Sequence, residues 1–438
     1  MDTLFSNVTV VTMDEELRVL FSAFVGVTDG KISYLSQTAP EERPQQIING
    51  EGMVLMPGLM NCHTHLAMTP MRGYADDLNL SDWLNDWIFP AEERLDGRTV
   101  RAATLLGLAE CLRFGTTSVS DMYFFCDEIA QAVAESGIKA NLSRSTVVSP
   151  EEEFCFDTNR RCQETVALKE KWHGYDNGRI RVEGSVHAEY TSDYRLWEAL
   201  SEYCLSEGLR MHIHLSETQA EHEGCKERHG LTPAQVLDCH HMFDMPGMAA
   251  HCVWLEPEDM ALLAKRKISA VHCPVSNFKL GSGRAKVMEM IRAGMNVALG
   301  TDSAASNNNL DLFEEIKAAA LAAKAAGDPR ALPAQAAVMM ATVCGARAQG
   351  REAECGMIKP GMDADLILLD FTQPHLMPCH NVLSHLAYAV RGSDVVMTMV
   401  RGKILYAAGE YKTIDLNAVV RELADYAMPK LFSRQEAK

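Results

Sequence analysis

Histidine and acidic residues recur along this chain in positions that could hold a metal ion and move protons. In "GLMNCHTHLAM" (58–68), His63 and His65 stand two residues apart. On a strand, that spacing turns both imidazoles to one face. "MHIHLSE" repeats the arrangement with His212 and His214, followed by Glu217. Further along, "EGSVHAEY" ends in His187, "AAHCV" in His251, "AVHCP" in His272 and "LGTDSAAS" in Asp302. Three neutral imidazoles and one carboxylate suit a borderline divalent ion such as zinc, with water completing the site. The expected ligands are His63, His65, His214 and Asp302. His212 is read as a core histidine one layer down. Asp302 has a competing reading as a helix N-cap, but "SAASNNN" offers other caps. His251 and Glu217 suit acid–base work beside the metal. For His272 the expectation is a position in the pocket wall.

These residues need a scaffold that gathers strand ends. From about Pro57 to Gln349 the sequence alternates short apolar strands with amphipathic helices. Strands are expected at 54–65, 116–123, 138–146, 179–187, 209–215, 247–253, 268–273 and 295–301. Eight β-then-α units predict a (β/α)₈ barrel, whose reactive groups sit at the C-terminal strand ends. Each residue above falls at such an end or just beyond it. An open doubly wound sheet is the competing architecture, but no glycine-rich phosphate loop follows the first strand. Both chain ends read as strands with tight turns, at Asp29-Gly30 and Arg401-Gly402.

Composition narrows the function classes. The chain has 438 residues, 47 % of them hydrophobic, and a net charge of −18 from 41 basic and 59 acidic residues. Such an acidic surface disfavours nucleic acid and anionic membranes. No apolar run approaches the roughly 20 residues of a membrane span. The first residues lack a basic region ahead of an apolar signal core, so the protein is read as cytoplasmic. The 13 cysteines form no CxxC pair, which argues against a zinc ribbon or disulfide framework.

"PGLMNCHTHLAMTPMRGYADDLNLSDWL", "HIHLSET", "AAHCVWL", "HCPVSNFKLGSG", "LGTDSAASNNNLDLFEEI" and "GMIKPGMDADLILLD" together resemble the amidohydrolase superfamily. Within it they are most similar to the 5′-methylthioadenosine/S-adenosylhomocysteine deaminase group. The resemblance implies a distorted (β/α)₈ TIM barrel over 57–356, with a small β-sandwich from 1–56 plus 357–438, the C-terminal helix included. It implies one divalent metal, zinc or sometimes iron, on His63, His65, His214 and Asp302. Glu217, His251 and Asp302 take the catalytic roles. Glu92 in "FPAEERL" matches the carboxylate that grips sugar hydroxyls, His187 a substrate-binding histidine, and Arg144 an arginine near the substrate's far end. Arg161 matches a second arginine, with Arg160 competing. The implied reaction is hydrolytic deamination of an adenosine-type nucleoside by a homo-oligomer acting on a small molecule. The alternatives are a guanine or pterin deaminase, a triazine hydrolase, or a metal-binding protein without catalysis. Strand four carries no lysine near His187, which argues against binuclear relatives bridged by a modified lysine.

Overall fold

The computed structural model describes residues 1–432. Two sheets organise it. The first is built from both ends of the chain: β1 (Thr3–Val11), β2 (Val19–Thr28), β3 (Lys31–Ser36), β4 (Gln46–Asn49) and β5 (Met53–Pro57) come from the N-terminal end. The barrel strands follow: β6 (Leu59–His65), β7 (Thr116–Tyr123), β8 (Lys139–Arg144), β9 (Ile180–Ser185), β10 (Met211–Leu215), β11 (Gly247–His251), β12 (Ile268–His272), β13 (Val297–Leu299) and β14 (Asp302–Ser303). The C-terminal end returns β15 (Leu366–Asp370), β16 (Val395–Val400), β17 (Lys403–Ala407) and β18 (Glu410–Tyr411) to the first sheet.

The terminal sheet runs β18-β17-β16-β15-β5-β1-β2-β3, with β4 also paired to β1. It is hydrogen-bonded as one continuous mixed sheet around a core that includes Phe5, Val25, Leu55, Leu366 and Met399. Both expected turns are present. Asp29 and Gly30 have φ of 50° and 76°, and Arg401 and Gly402 have 46° and 72°. Positive φ at both central residues is the signature of a type I′ hairpin, whose twist matches the flanking strands.

The barrel strands are parallel and run β13-β12-β11-β10-β9-β8-β7-β6-β14. Since β13 and β14 are successive pieces of one segment, the sheet closes: β13 pairs with β12, and Asp302 and Ser303 pair with Thr64 and His65 of β6. The break between the two pieces is a correction to the uniform strand expected at 295–301. Asp302 has φ of 60°, which a regular strand does not accommodate. The strand expected at 54–65 also divides. Its first half, β5, belongs to the terminal sheet and its second half, β6, to the barrel. Gly58 makes the crossing. A Cβ there would lie 2.1 Å from the Thr117 side chain, so only glycine brings the two chains this close.

The C-terminal helical segment packs against the barrel helix Gly97–Arg113. Val419, Leu423, Ala427 and Leu431 share one apolar cluster with Val100 and Ala103 of that helix.

Candidate active site and metal centre

His63 and His65 project from the end of β6, and His214 from β10. Asp302 opens β14 beside them. His65 Nε2 lies 3.3 Å from Asp302 Oδ1, His63 Nε2 3.6 Å from the same oxygen, and His214 Nε2 3.4 Å from His65 Nε2. Tetrahedral ligands bound at about 2.1 Å stand about 3.4 Å apart, so this spacing fits one ion. The tautomers fit as well. Nδ1 of His65 faces the Met122 carbonyl and Nδ1 of His214 faces the His187 carbonyl, which leaves both Nε2 lone pairs turned inward. Among the described residues His63 Nε2 is buried without a hydrogen-bond partner, a costly state that a cation would relieve.

Burial and mutual repulsion hold His63 and His214 well below the ordinary histidine range, so both are neutral and able to ligate. His65 behaves differently. Burial works against its charge, but the Asp302 carboxylate lifts it to about 9. That proton occupies the position a divalent ion would take, and metal binding displaces it.

Glu217 and His251 stand next to this quartet. Glu217 Oε2 is 3.8 Å from His251 Nε2, and both side chains are buried. Burial pushes the Glu217 carboxyl up. His251 is pushed up too, since Glu217 and Asp302 outweigh the cost of its burial. His251 Nδ1 meets Asn277 Oδ1 at 2.8 Å, which turns Nε2 toward the quartet. The backbone is strained where these groups sit: φ is 70° at His251, 60° at Asp302 and 48° at Ser216. Such conformations cluster at functional sites, where the surrounding structure enforces them.

A cavity of about 570 Å³ opens over the quartet. Glu92, Arg161, His187, Glu217 and His251 line it, and Met68, Trp83, Ile88, Phe89 and Leu280 give it an apolar wall. Glu92 accepts a hydrogen bond from the Tyr123 hydroxyl at 2.6 Å. Desolvation lifts its carboxyl to about 7. Arg144 does not reach this cavity. Its guanidinium donates to Glu164 at 2.8 Å, and it lines an adjoining cavity together with Arg160. Arg161 lines both cavities and is held by Glu152 at 3.0 Å. His272 lies outside the main cavity wall, buried at the end of β12.

Several functional neighbours escaped sequence reasoning. Ser276 and Ser306 donate to Asp302 Oδ2 at 2.6 and 2.7 Å. Ser282 donates to Glu217 at 3.3 Å. Glu221 accepts from the backbone N–H groups of Ser216 and Glu217 at 2.8 and 2.7 Å, which clamps the loop that carries the acid. Ser276, Asn277 and Ser282 all lie in "HCPVSNFKLGSG", so the motif was visible although its internal roles were not. Trp83 was also missed; among the described residues its buried indole N–H has no partner, and the residue lines the cavity.

Comparison with known proteins agrees with this geometry. Residues 54–405 match the model of the amidohydrolase family. The chain belongs to the amidohydrolase family. This amidohydrolase is 42 % identical to a 5-methylthioadenosine/S-adenosylhomocysteine deaminase of Moorella thermoacetica, over 92 % of this chain and 94 % of that one. It is 43 % identical to a 5′-deoxyadenosine deaminase of Methanosarcina mazei, over 99 % of both chains. Among solved structures, a zinc-bound adenosine deaminase from Xanthomonas campestris superposes with a TM-score of 0.92 at 33 % identity, covering 98 % of each chain.

Proposed function

We propose that this amidohydrolase removes the amino group of an adenosine-type nucleoside by hydrolysis, releasing ammonia and the inosine analogue. Its candidate substrates are 5′-methylthioadenosine, S-adenosylhomocysteine, 5′-deoxyadenosine and adenosine. The observation that carries the reading is one cavity lined by His65, His214 and Asp302 of the donor quartet, the Glu217–His251 pair and Glu92. The deaminase names of its relatives support it.

In this mechanism His63, His65, His214 and Asp302 would hold the divalent ion. When bound, the ion supplies Lewis-acid activation of the attacking water. Asp302 and His251 orient that water and accept its proton as it attacks the ring carbon bearing the amino group. Glu217, whose carboxyl burial pushes up, donates a proton to the adjacent ring nitrogen. The ring can then take up electrons without building full negative charge. The proton taken from water passes on to the departing amino nitrogen, the remaining hydroxyl proton returns to Glu217 as the carbonyl forms, and ammonia leaves. Glu92 accepts hydrogen bonds from the ribose hydroxyls, His187 contacts the nucleoside, and the apolar wall excludes water from the base. Arg161 faces the 5′ substituent, while Arg144 stands in the adjoining cavity against Glu164.

The reading includes a cytoplasmic homo-oligomer. All thirteen cysteines are unpaired, which suits a reducing compartment, and sedimentation of the purified protein measures the assembly. Ammonia release across the four nucleosides, against guanine, pterins and triazines, tests the substrate class. Turnover of free bases without nucleosides would remove the role given to Glu92.

A further inference from the structure

His63 differs from the other two histidines of the quartet in what stands behind it. His65 and His214 present Nδ1 to main-chain carbonyls, which only accept, so their tautomers are fixed. His63 presents Nδ1 to another imidazole, Nε2 of His212, at 3.0 Å. An imidazole can donate or accept, so this contact alone leaves the His63 tautomer open. Yet His63 can ligate through Nε2 only if its Nδ1 carries the proton and His212 Nε2 accepts it.

The residue behind His212 resolves the ambiguity. His212 Nδ1 lies 3.9 Å from Glu183 Oε2. Both atoms are buried, the 3.9 Å gap is longer than a hydrogen bond, and among the described residues neither atom has a partner. Each carries a desolvation cost that a hydrogen bond between them removes. An ionised carboxylate only accepts, so pairing would place the His212 proton on Nδ1 and leave Nε2 free to accept from His63. Glu183 is also anchored at the other oxygen. Asn141 donates to Oε1 at 2.8 Å, Arg210 Nε stands 3.4 Å from it, and Arg351 holds Asn141 at 3.1 Å.

We infer that Glu183 and His212 form a buried carboxylate–imidazole relay that sets which nitrogen of His63 faces the metal. His212 is thus a positioning residue rather than a packing histidine. Carboxylate–histidine–metal arrangements of this kind raise ligand basicity, and losing the outer partner typically weakens metal binding about 10–100-fold. Here the relay is one imidazole longer.

Zinc affinity, measured by competition with a chelator, tests the relay without any substrate, so its outcome is independent of which nucleoside is turned over. His212→Leu should weaken zinc binding by about 10–100-fold. His212→Gln, whose side-chain carbonyl can stand where Nε2 accepts, should recover most of the affinity. Glu183→Gln should bind zinc more weakly than the native protein and more tightly than the His212→Leu variant. Thermal melts of the metal-free proteins report whether each variant is folded. If His212→Leu does not fold, Glu183→Met, which removes the acceptor altogether, decides: weakened binding supports the relay and unchanged binding overturns it. Equal loss in His212→Leu and His212→Gln also overturns it, since that pattern marks packing alone. In ¹⁵N-histidine spectra of the zinc-loaded protein, His212 should be the neutral Nδ1–H tautomer, and the Nε2–H tautomer would contradict the relay. A native protein that takes up no zinc would overturn the metal reading of His63, and the relay with it.

Discussion

At the residue scale, the site separates groups that hold a metal from groups that move protons. Glu217 is buried, its carboxyl is raised, and it stands beside His251. Glu217→Gln should keep the metal and lower kcat by about 10²–10⁴, the usual share of a general acid. Zinc analysis with steady-state kinetics checks both halves, and retained activity would remove the proton role. Glu92 gives a pH signature. Its carboxyl is lifted to about 7, so it is neutral below that pH and charged above it. A charged acceptor binds hydroxyls more strongly. KM for the nucleoside should therefore fall as pH rises from about 6 to 8. Glu92→Gln should show a high KM across that range, and a KM profile unchanged by the substitution would contradict the sugar-binding role. The sign for stability is opposite: between the ordinary carboxyl value and about 7 the folded state holds the extra proton, so this group costs stability as pH rises through that window.

At the scale of elements, strand periodicity made the metal ligands legible. A period of two places His63 with His65 and His212 with His214, and a barrel gathers strand ends. The partners of those ligands were hidden for a physical reason. Ser276 and Asn277 sit on the short helix Pro274–Lys279, and Ser306 on a loop after β14. Their reach toward Asp302 and His251 depends on how the barrel closes, which no local pattern encodes. Strand 54–65 misled because its apolar run crosses from one sheet to the other without a polar interruption, and the switch is marked only by Pro57-Gly58. Closure itself depends on Gly300. A Cβ at that position would come within 2.8 Å of the His63 backbone and Cβ. Gly300→Ala should displace β6 against the broken eighth strand and weaken zinc binding by at least about tenfold. Isothermal titration checks this, and native affinity in the variant would show that the strands do not need this approach.

At the scale of the whole molecule, a buried ionic joint ties the barrel to the terminal sheet. Lys139, at the start of β8, is fully buried and its ammonium meets Asp363 at 2.8 Å and Asp365 at 2.5 Å. Arg401 of the terminal sheet's hairpin also reaches Asp363, at 3.2 Å. Removing Lys139 leaves the buried Asp365 carboxylate without its cation, while Asp363 keeps Arg401. Lys139→Met should destabilise the protein by about 3–5 kcal/mol, read as a lower midpoint in chemical denaturation. A midpoint within error of the native protein would mean the joint is not stabilising. The net charge of −18 that disfavours nucleic acid is a property of this scale too.

The most direct test of the central claim is the reaction of the zinc-loaded protein with 5′-deoxyadenosine and 5′-methylthioadenosine in ¹⁸O-labelled water. Mass spectrometry of the product and an ammonia assay would be run together. One ammonia per nucleoside consumed is expected, with one solvent oxygen on the ring carbon that lost it and turnover abolished by metal removal and restored by zinc. Absence of ammonia from every adenosine-type nucleoside with the metal-replete protein would contradict the claim.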